Sequence, residues 1–133
     1  WRDPSHILAY AGYGPEAKEW RFQVFEDLTS HTEVLEGMLG RDGHCTYLPG
    51  NQWVLCDSYP DNERKQHVYL YHVATEKIVE LGRFYLAREY QGEWRCDTHP
   101  RCSPDGRSVI IDSPHEGHGR QMYVIDISAI VGS

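Results

Sequence analysis

The chain has 133 residues, of which 40% are hydrophobic and 25% charged, a size and composition suited to one globular domain. Its formal net charge is −7 and its 13 Lys and Arg residues are scattered, which argues against binding to nucleic acid or to an anionic membrane. The longest apolar runs fall far short of the roughly 18 to 20 residues of a membrane span.

Short β-rich runs separated by turn residues predict an all-β protein. In chain order, the predicted strands are residues 7–10, 22–25, 32–35, 44–48, 53–56, 68–73, 78–81, 101–102, 109–112 and 122–127. Between them lie Gly, Pro, Asn and Asp clusters that favour tight turns, at residues 12–15, 49–51, 59–62, 103–106 and 116–117.

An internal repeat groups these strands. Residues 43–58 align with residues 98–113 at an offset of 55, and five of the 16 positions are identical. The identical pairs are His44/His99, Pro49/Pro104, Val54/Val109, Asp57/Asp112 and Ser58/Ser113. A third copy lies upstream, where residues 3–8 resemble 105–110 and residues 21–28 resemble 120–127.

Each full unit therefore contains four strands in about 55 residues, which is typical of β-propeller blades. We predict a partial β-propeller of about two and a half four-stranded antiparallel blades, with units at about 1–41, 42–95 and 96–133. Because propellers close with roughly 4 to 8 blades, we expect a homo-oligomer or a fragment of a longer chain. The start at Trp1 rather than Met is consistent with a fragment.

Residues 98–107, THPRCSPDGR, and the strand 109–113 that follows them resemble the blade motif of TolB-like propellers. Together with segments 42–44, 57–61, 94–100 and 119–123, they resemble the C-terminal blades of the oligogalacturonate lyase-like branch of these propellers. The resemblance implies β-elimination on uronic-acid oligosaccharides, as in pectin degradation. It also implies a divalent metal, usually Mn, held by three histidines and a glutamine.

Two histidines match this ligand pattern. The resemblance places His99 on the first histidine of a Gln-x-x-His-x-His motif and His44 on a histidine of the preceding blade, whereas Cys96 and Arg101 replace the glutamine and the last histidine. Equivalent positions of adjacent blades converge near the axis, so both imidazoles could face one mouth, where Asp42 and Asp97 could complete or orient a metal site. Alternatively, each histidine packs between blades.

Basic and aromatic residues nearby suggest how an acidic sugar would bind. Arg95 and Arg101 are candidate catalytic residues that clamp a carboxylate and stabilise an enolate-like intermediate, while Trp94 and Asp97 are candidate substrate-binding residues. Trp94, Tyr59, Tyr85 and Tyr90 either stack on sugars or fill space between blades. His115 and His118 form a second candidate metal pair, with a solvated loop as the alternative.

The four cysteines, Cys45, Cys56, Cys96 and Cys102, match no paired zinc motif and are too few for a disulfide scaffold. We interpret them mainly as buried free thiols, which favours the cytoplasm over the periplasm. A second hypothesis for function is a non-catalytic propeller module that binds protein or carbohydrate through its loops.

Overall fold

The computed structural model describes residues 1–132, which form three antiparallel sheets and two short helical turns. The first sheet contains β1 (His6–Tyr13), β2 (Glu19–Glu26) and β3 (Thr32–Val34). The middle sheet contains β4 (Cys45–Tyr47), β5 (Trp53–Asp57), β6 (Lys65–His72) and β7 (Lys77–Tyr85). The last sheet contains β8 (Arg101–Cys102), β9 (Ser108–Ser113) and β10 (Gln121–Asp126).

The prediction of an all-β partial propeller is confirmed, and each predicted strand overlaps one of the strands in the structure. Strands within each sheet pair with their sequence neighbours, in the orders β1-β2-β3, β4-β5-β6-β7 and β8-β9-β10. Helical structure in the described residues comprises a 3-10 turn at Gly92–Trp94 and the helix α1 (Ser128–Val131). Neither is long and apolar enough to cross a membrane.

The turn at residues 103–106 shows how local sequence closes a hairpin. Ser103 accepts a backbone hydrogen bond from the Gly106 amide at 2.9 Å, and its hydroxyl donates to Asp105 at 2.5 Å. Gly106 has a φ of 71°, in the left-handed region that glycine enters at little cost. The sequence Ser-Pro-Asp-Gly thus directs β8 back along β9.

The hydrophobic core lies between sheets. Phe22 and Val24 of the first sheet pack against residues of the middle sheet, namely Val54, Cys56, Tyr69 and Tyr71. A second cluster joins the middle sheet to the last one through Leu48, Leu55, Val68, Leu70, Val109, Ile111 and Ile127. Because side chains alternate across a strand, the middle sheet contributes one of its faces to each cluster.

The strand register corrects one detail of the repeat. Tyr10 pairs with Phe22 in the first sheet, Asp57 with Val68 in the middle sheet, and Asp112 with Met122 in the last sheet. The match of residues 3–8 with 105–110, extended along the strand, makes Tyr10 equivalent to Asp112. Their pairing partners Phe22 and Met122 are therefore equivalent too. The sequence alignment of residues 21–28 with 120–127 instead matches Phe22 to Gln121. That alignment is wrong by one residue, which would exchange the two faces of the strand.

The two hydrophobic clusters between sheets predict which side chains can be shortened without loss of stability. Leu55→Ala removes a fully buried side chain from the second cluster, so we expect it to lower the free energy of unfolding by about 2 to 4 kcal/mol. Leu28→Ala is the control because Leu28 is 98% exposed, and it should change stability by less than about 0.5 kcal/mol. Urea unfolding followed by circular dichroism measures both, and equal effects would contradict the assignment of the core.

Candidate functional site

The centre of the candidate site is Asp57, which ends β5 and is only 2% exposed. From its own sheet region it accepts hydrogen bonds from the His44 backbone amide at 2.6 Å and contacts His44 Nδ1 at 3.2 Å. From the segment before β8 it accepts hydrogen bonds from the Thr98 hydroxyl at 2.7 Å and the His99 amide at 2.9 Å. One buried carboxylate therefore joins two sheets.

This arrangement brings His44 and His99 together. Their rings stack with centroids 4.0 Å apart and an interplanar angle of 26°. The backbone conformations allow it, because His99 has a φ of 39° and Gly43 lies so close to Asp57 that a Cβ there would collide with the Asp57 carbonyl oxygen. The proximity expected for the two histidines is present, and Asp57 is its physical cause.

A cleft of about 570 Å³ lies beside this pair. Its lining includes His99 and three guanidinium groups, from Arg95, Arg101 and Arg120. Arg101 Nη2 is 2.9 Å from an Asp112 carboxylate oxygen, and Arg120 Nη2 donates to the Trp94 carbonyl at 2.9 Å. Two acidic residues also line the cleft, Asp97 and Asp112, which leaves an excess of one positive charge in a chain whose net charge is −7.

Arg95 is held from two sides. Its Nη2 atom is 3.0 Å from Asp97 Oδ2, and its guanidinium carbon lies 5.2 Å from the centroid of the Tyr59 ring, within reach of a cation–π interaction. Tyr59 in turn meets the His44 ring edge-on, with centroids 6.1 Å apart. The other carboxylate oxygen of Asp97 is buried without a hydrogen-bond partner in the described structure.

Cys96 lines the cleft but is not set up as a nucleophile. Burial raises the pKa of its thiol, so the thiol stays protonated at neutral pH. All four cysteines are free, with Cys56 and Cys96 buried and Cys45 and Cys102 half-buried.

The expected metal ligands do not form a complete site on their own. Within residues 1–132, no group of three His, Cys, Asp or Glu side chains could hold a metal ion. His44 and His99 supply two imidazoles, and one nitrogen of His44 already faces Asp57, whereas catalytic metal sites generally use three protein ligands. The donor set of residues 1–132 therefore does not fit a bound Mn²⁺, and metal binding stays a prediction.

The other candidates lie in different settings. His115 packs between the rings of Phe84 and Tyr123, with centroid distances of 5.0 and 4.5 Å, and its Nδ1 atom is 2.9 Å from the Ser113 hydroxyl, so it is a packing residue. His118 is exposed. Trp94 is 72% exposed beside the cleft.

Sequence reasoning missed two components of the site. Asp57 was visible as an identity with Asp112 in the repeat, although nothing in the pattern indicates that it joins two sheets. Arg120 follows the turn at residues 115–119, and only the fold brings it next to Arg101 in the cleft.

No protein-family model matches the chain, and no curated protein matches it. Its fold is similar to the crystal structure of TolB from Acinetobacter baumannii, with a TM-score of 0.64 and 16% identity over 94% of this chain and 29% of that one. It is also similar to the crystal structure of oligogalacturonate lyase from Vibrio parahaemolyticus, with a TM-score of 0.61 and 12% identity over 95% of this chain and 37% of that one. These likenesses show a TolB-like propeller fold, and the chain spans about a third of the length of either structure.

The repeat supplies a matched pair of variants for the junction. Asp57→Ala leaves the donors of His44, Thr98 and His99 without their acceptor, so we expect a loss of about 3 kcal/mol or more in the free energy of unfolding. Asp112→Ala at the equivalent position removes a half-exposed partner of Arg101 and should cost less than about 1 kcal/mol. Urea unfolding measures both, and a small effect of Asp57→Ala would show that the carboxylate does not hold the sheets together.

Proposed function

We propose that this chain forms the carboxylate-binding part of a TolB-type propeller that acts on uronic-acid oligosaccharides by β-elimination. The observation that supports this proposal is the convergence of Arg95, Arg101 and Arg120 on one cleft beside His99. The likeness in fold to the oligogalacturonate lyase of Vibrio parahaemolyticus supports the choice of substrate and reaction.

The cleft suits a sugar carboxylate better than a neutral sugar. A guanidinium group presents parallel N–H donors that match the two oxygens of a carboxylate. Asp97 and Asp112 hold Arg95 and Arg101 by one nitrogen each, so both cations are oriented before a ligand arrives. Trp94 precedes Arg95 in the sequence and is exposed, and its ring offers an apolar surface for a sugar face.

β-Elimination follows from neutralising that carboxylate. Arg101 and Arg95 bind the uronate carboxylate, which makes the proton on the adjacent carbon more acidic and stabilises the enolate-like intermediate. A base removes this proton, and a carbon–carbon double bond forms as the glycosidic oxygen leaves with its electron pair. His99 lines the cleft, and its imidazole is the group we propose as the base.

A second candidate function is binding without turnover, by a non-catalytic propeller module. Two observations favour it. The His44 imidazole already contacts Asp57 and stacks on His99, so it is engaged within the protein. Burial raises the pKa of the Cys96 thiol, so the cleft has no thiolate nucleophile. In that case the same arginines bind an acidic oligosaccharide or an acidic protein segment.

Binding and turnover are tested separately. Calorimetry with trigalacturonate should show binding that a neutral galactose trimer lacks, and Arg101→Gln should weaken it about tenfold, a loss of roughly 1.4 kcal/mol. Arg88→Gln is the matched control, because Arg88 is exposed and lies outside the cleft. Equal binding of the neutral sugar, or equal effects of the two variants, would overturn the proposed ligand class.

Turnover is followed by the rise in ultraviolet absorbance that an unsaturated uronate produces. We expect a rise with oligogalacturonate and its loss in His99→Gln. If trigalacturonate binds but absorbance stays flat both with and without added Mn²⁺, the non-catalytic module is correct. If the unchanged protein is active only with added Mn²⁺, and His44→Ala and His99→Ala each abolish that activity, both histidines are metal ligands. The role of His99 as the base is then wrong.

A further inference from the structure

Two cysteines of the middle sheet lie directly opposite each other. Cys45 of β4 pairs with Cys56 of β5 in the strand register. The next pair along is hydrogen-bonded, because the Asp57 amide donates to the His44 carbonyl at 3.0 Å. Since hydrogen-bonded and non-hydrogen-bonded pairs alternate along an antiparallel ladder, the two cysteines form a non-hydrogen-bonded pair, the type with the closer side chains.

Both cysteine side chains lie on the face of the middle sheet that packs on the first sheet. Cys56 belongs to the core cluster between these sheets, and Cys45 packs against that cluster. The Cα atoms of a non-hydrogen-bonded pair are about 4.5 Å apart, within the range of roughly 4.4 to 6.8 Å that a disulfide spans. The two sulfur atoms can therefore be joined without sliding or separating the strands.

The repeat does not require cysteines at these positions. The equivalent residues of the last sheet, 55 positions later, are Pro100 and Ile111, which carry no reactive group. The other two cysteines have different settings, since Cys102 lies opposite Val109 of β9 and Cys96 precedes β8. Among the four cysteines, the pair in the middle sheet is the one whose members face each other across a ladder.

We propose that Cys45 and Cys56 form an oxidation site, at which a peroxide converts the two thiols into a disulfide that ties β4 to β5. Cys45 reacts first, because it is half-buried and lines a cleft of about 340 Å³, whereas Cys56 is fully buried. The inference rests on strand pairing within a sheet that has a neighbour on each side. It does not depend on the proposed action on sugars.

The electrons and atoms balance in two steps. The Cys45 sulfur, as a thiolate, attacks one oxygen of hydrogen peroxide, so an S–O bond forms, the O–O bond breaks, and the leaving hydroxide takes up the thiol proton as water. The Cys56 sulfur then loses its proton and attacks the Cys45 sulfur, so an S–S bond forms, the S–O bond breaks, and a second water leaves. The two thiols lose two electrons in total, and one peroxide is reduced to two waters.

The surroundings of Cys45 make the first step slow. Burial raises the pKa of its thiol to about 11, and the Asp57 and Asp42 carboxylates act in the same direction, against the charge of the amino terminus. The thiolate is the reactive form, so a small fraction of the protein reacts at any moment at neutral pH. The disulfide therefore forms under sustained exposure to peroxide rather than during a brief pulse.

The disulfide acts on the Asp57 junction through the adjacent pair of residues. β4 has three residues and is an edge strand of the middle sheet, so few backbone hydrogen bonds hold it. Immediately before it lies His44, whose amide and ring contact Asp57. A covalent tie between Cys45 and Cys56 restrains this end of β4 and so keeps His44 stacked on His99.

Peroxide treatment of the full chain, followed by peptide mapping, tests the site. No Lys or Arg lies between residues 42 and 63, so trypsin releases Cys45 and Cys56 in one peptide, 42–64, and Cys96 and Cys102 in two others. After alkylation of free thiols in denaturant, we expect peptide 42–64 to be unalkylated and lighter by two hydrogen atoms, with both thiols recovered by dithiothreitol. Cys102→Ser is the matched control, because Cys102 is the other half-buried cysteine, and it should leave this result unchanged.

Urea unfolding and hydrogen exchange measure the consequences of the disulfide. Closing a loop of about ten residues should raise the urea midpoint by roughly 1 M. Exchange of the Asp57 amide should slow by tenfold or more, because the restrained strand opens less often. Cys56→Ser treated in the same way should show neither change.

Three results would overturn the proposal. Links from peptide 42–64 to Cys96 or Cys102 would mean that the thiols pair in unfolded chains. Alkylation at both cysteines after treatment, or a sulfinic acid at Cys45 beside a free Cys56 thiol, would mean that the two sulfur atoms do not meet. A disulfide that leaves the urea midpoint and the Asp57 amide unchanged would mean that it does not restrain β4.

Discussion

The structure depends on one buried carboxylate that is shared by two sheets. A buried charge is tolerated only when donors surround it, and Asp57 finds them in the backbone and side chain of His44 and in Thr98 and His99. Because the donor farthest along the chain, His99, follows Asp57 by 42 residues, the carboxylate fixes where the last sheet begins relative to the middle one. The stacked histidines and the cleft beside them take their positions from this junction.

Around the junction, apolar packing acts only between neighbouring sheets. The middle sheet has one face in each of the two cores, so within residues 1–132 it is the sheet covered on both sides. The basic cleft lies at the last sheet, one face of which packs on the middle sheet within residues 1–132. Arg95 and Arg101 there are half-exposed and held by single ion pairs, while the Asp57 carboxylate one repeat earlier is enclosed.

Much of the fold could be predicted from the sequence because short segments determine the strands and turns. Alternating apolar residues and turn clusters such as Ser-Pro-Asp-Gly determine the strands, and the repeat of 55 residues groups them into sheets. The boundaries were less predictable: β1 continues through Gly12 and Tyr13, which the turn chemistry assigned to a loop. The pairing register of β2 could not be predicted either, because a weak sequence alignment does not resolve a shift of one residue. The pairing of Tyr10 with Phe22 in the structure resolves it.

The candidate site was predictable only in part. The repeat identified His44 and His99 as equivalent, and equivalence implied proximity. It did not reveal the role of Asp57 or the contribution of Arg120, because both depend on contacts between segments that no sequence spacing encodes. The surroundings of each histidine depend on the fold: His99 stacks on His44 and lines the cleft, whereas His115 packs between Phe84 and Tyr123.

The position of Asp112 has a consequence for solubility. A twisted sheet that displays Met122 and Val124 to solvent is an aggregation hazard, and natural β proteins reduce such hazards by placing a charged residue within the apolar surface. Asp112 lies directly opposite Met122 in the ladder, so an apolar surface that packs there would have to bury the Asp112 carboxylate and its ion pair with Arg101. Asp57 shows the enclosed arrangement one repeat earlier, where donors from two segments surround the carboxylate and offset the cost of its burial.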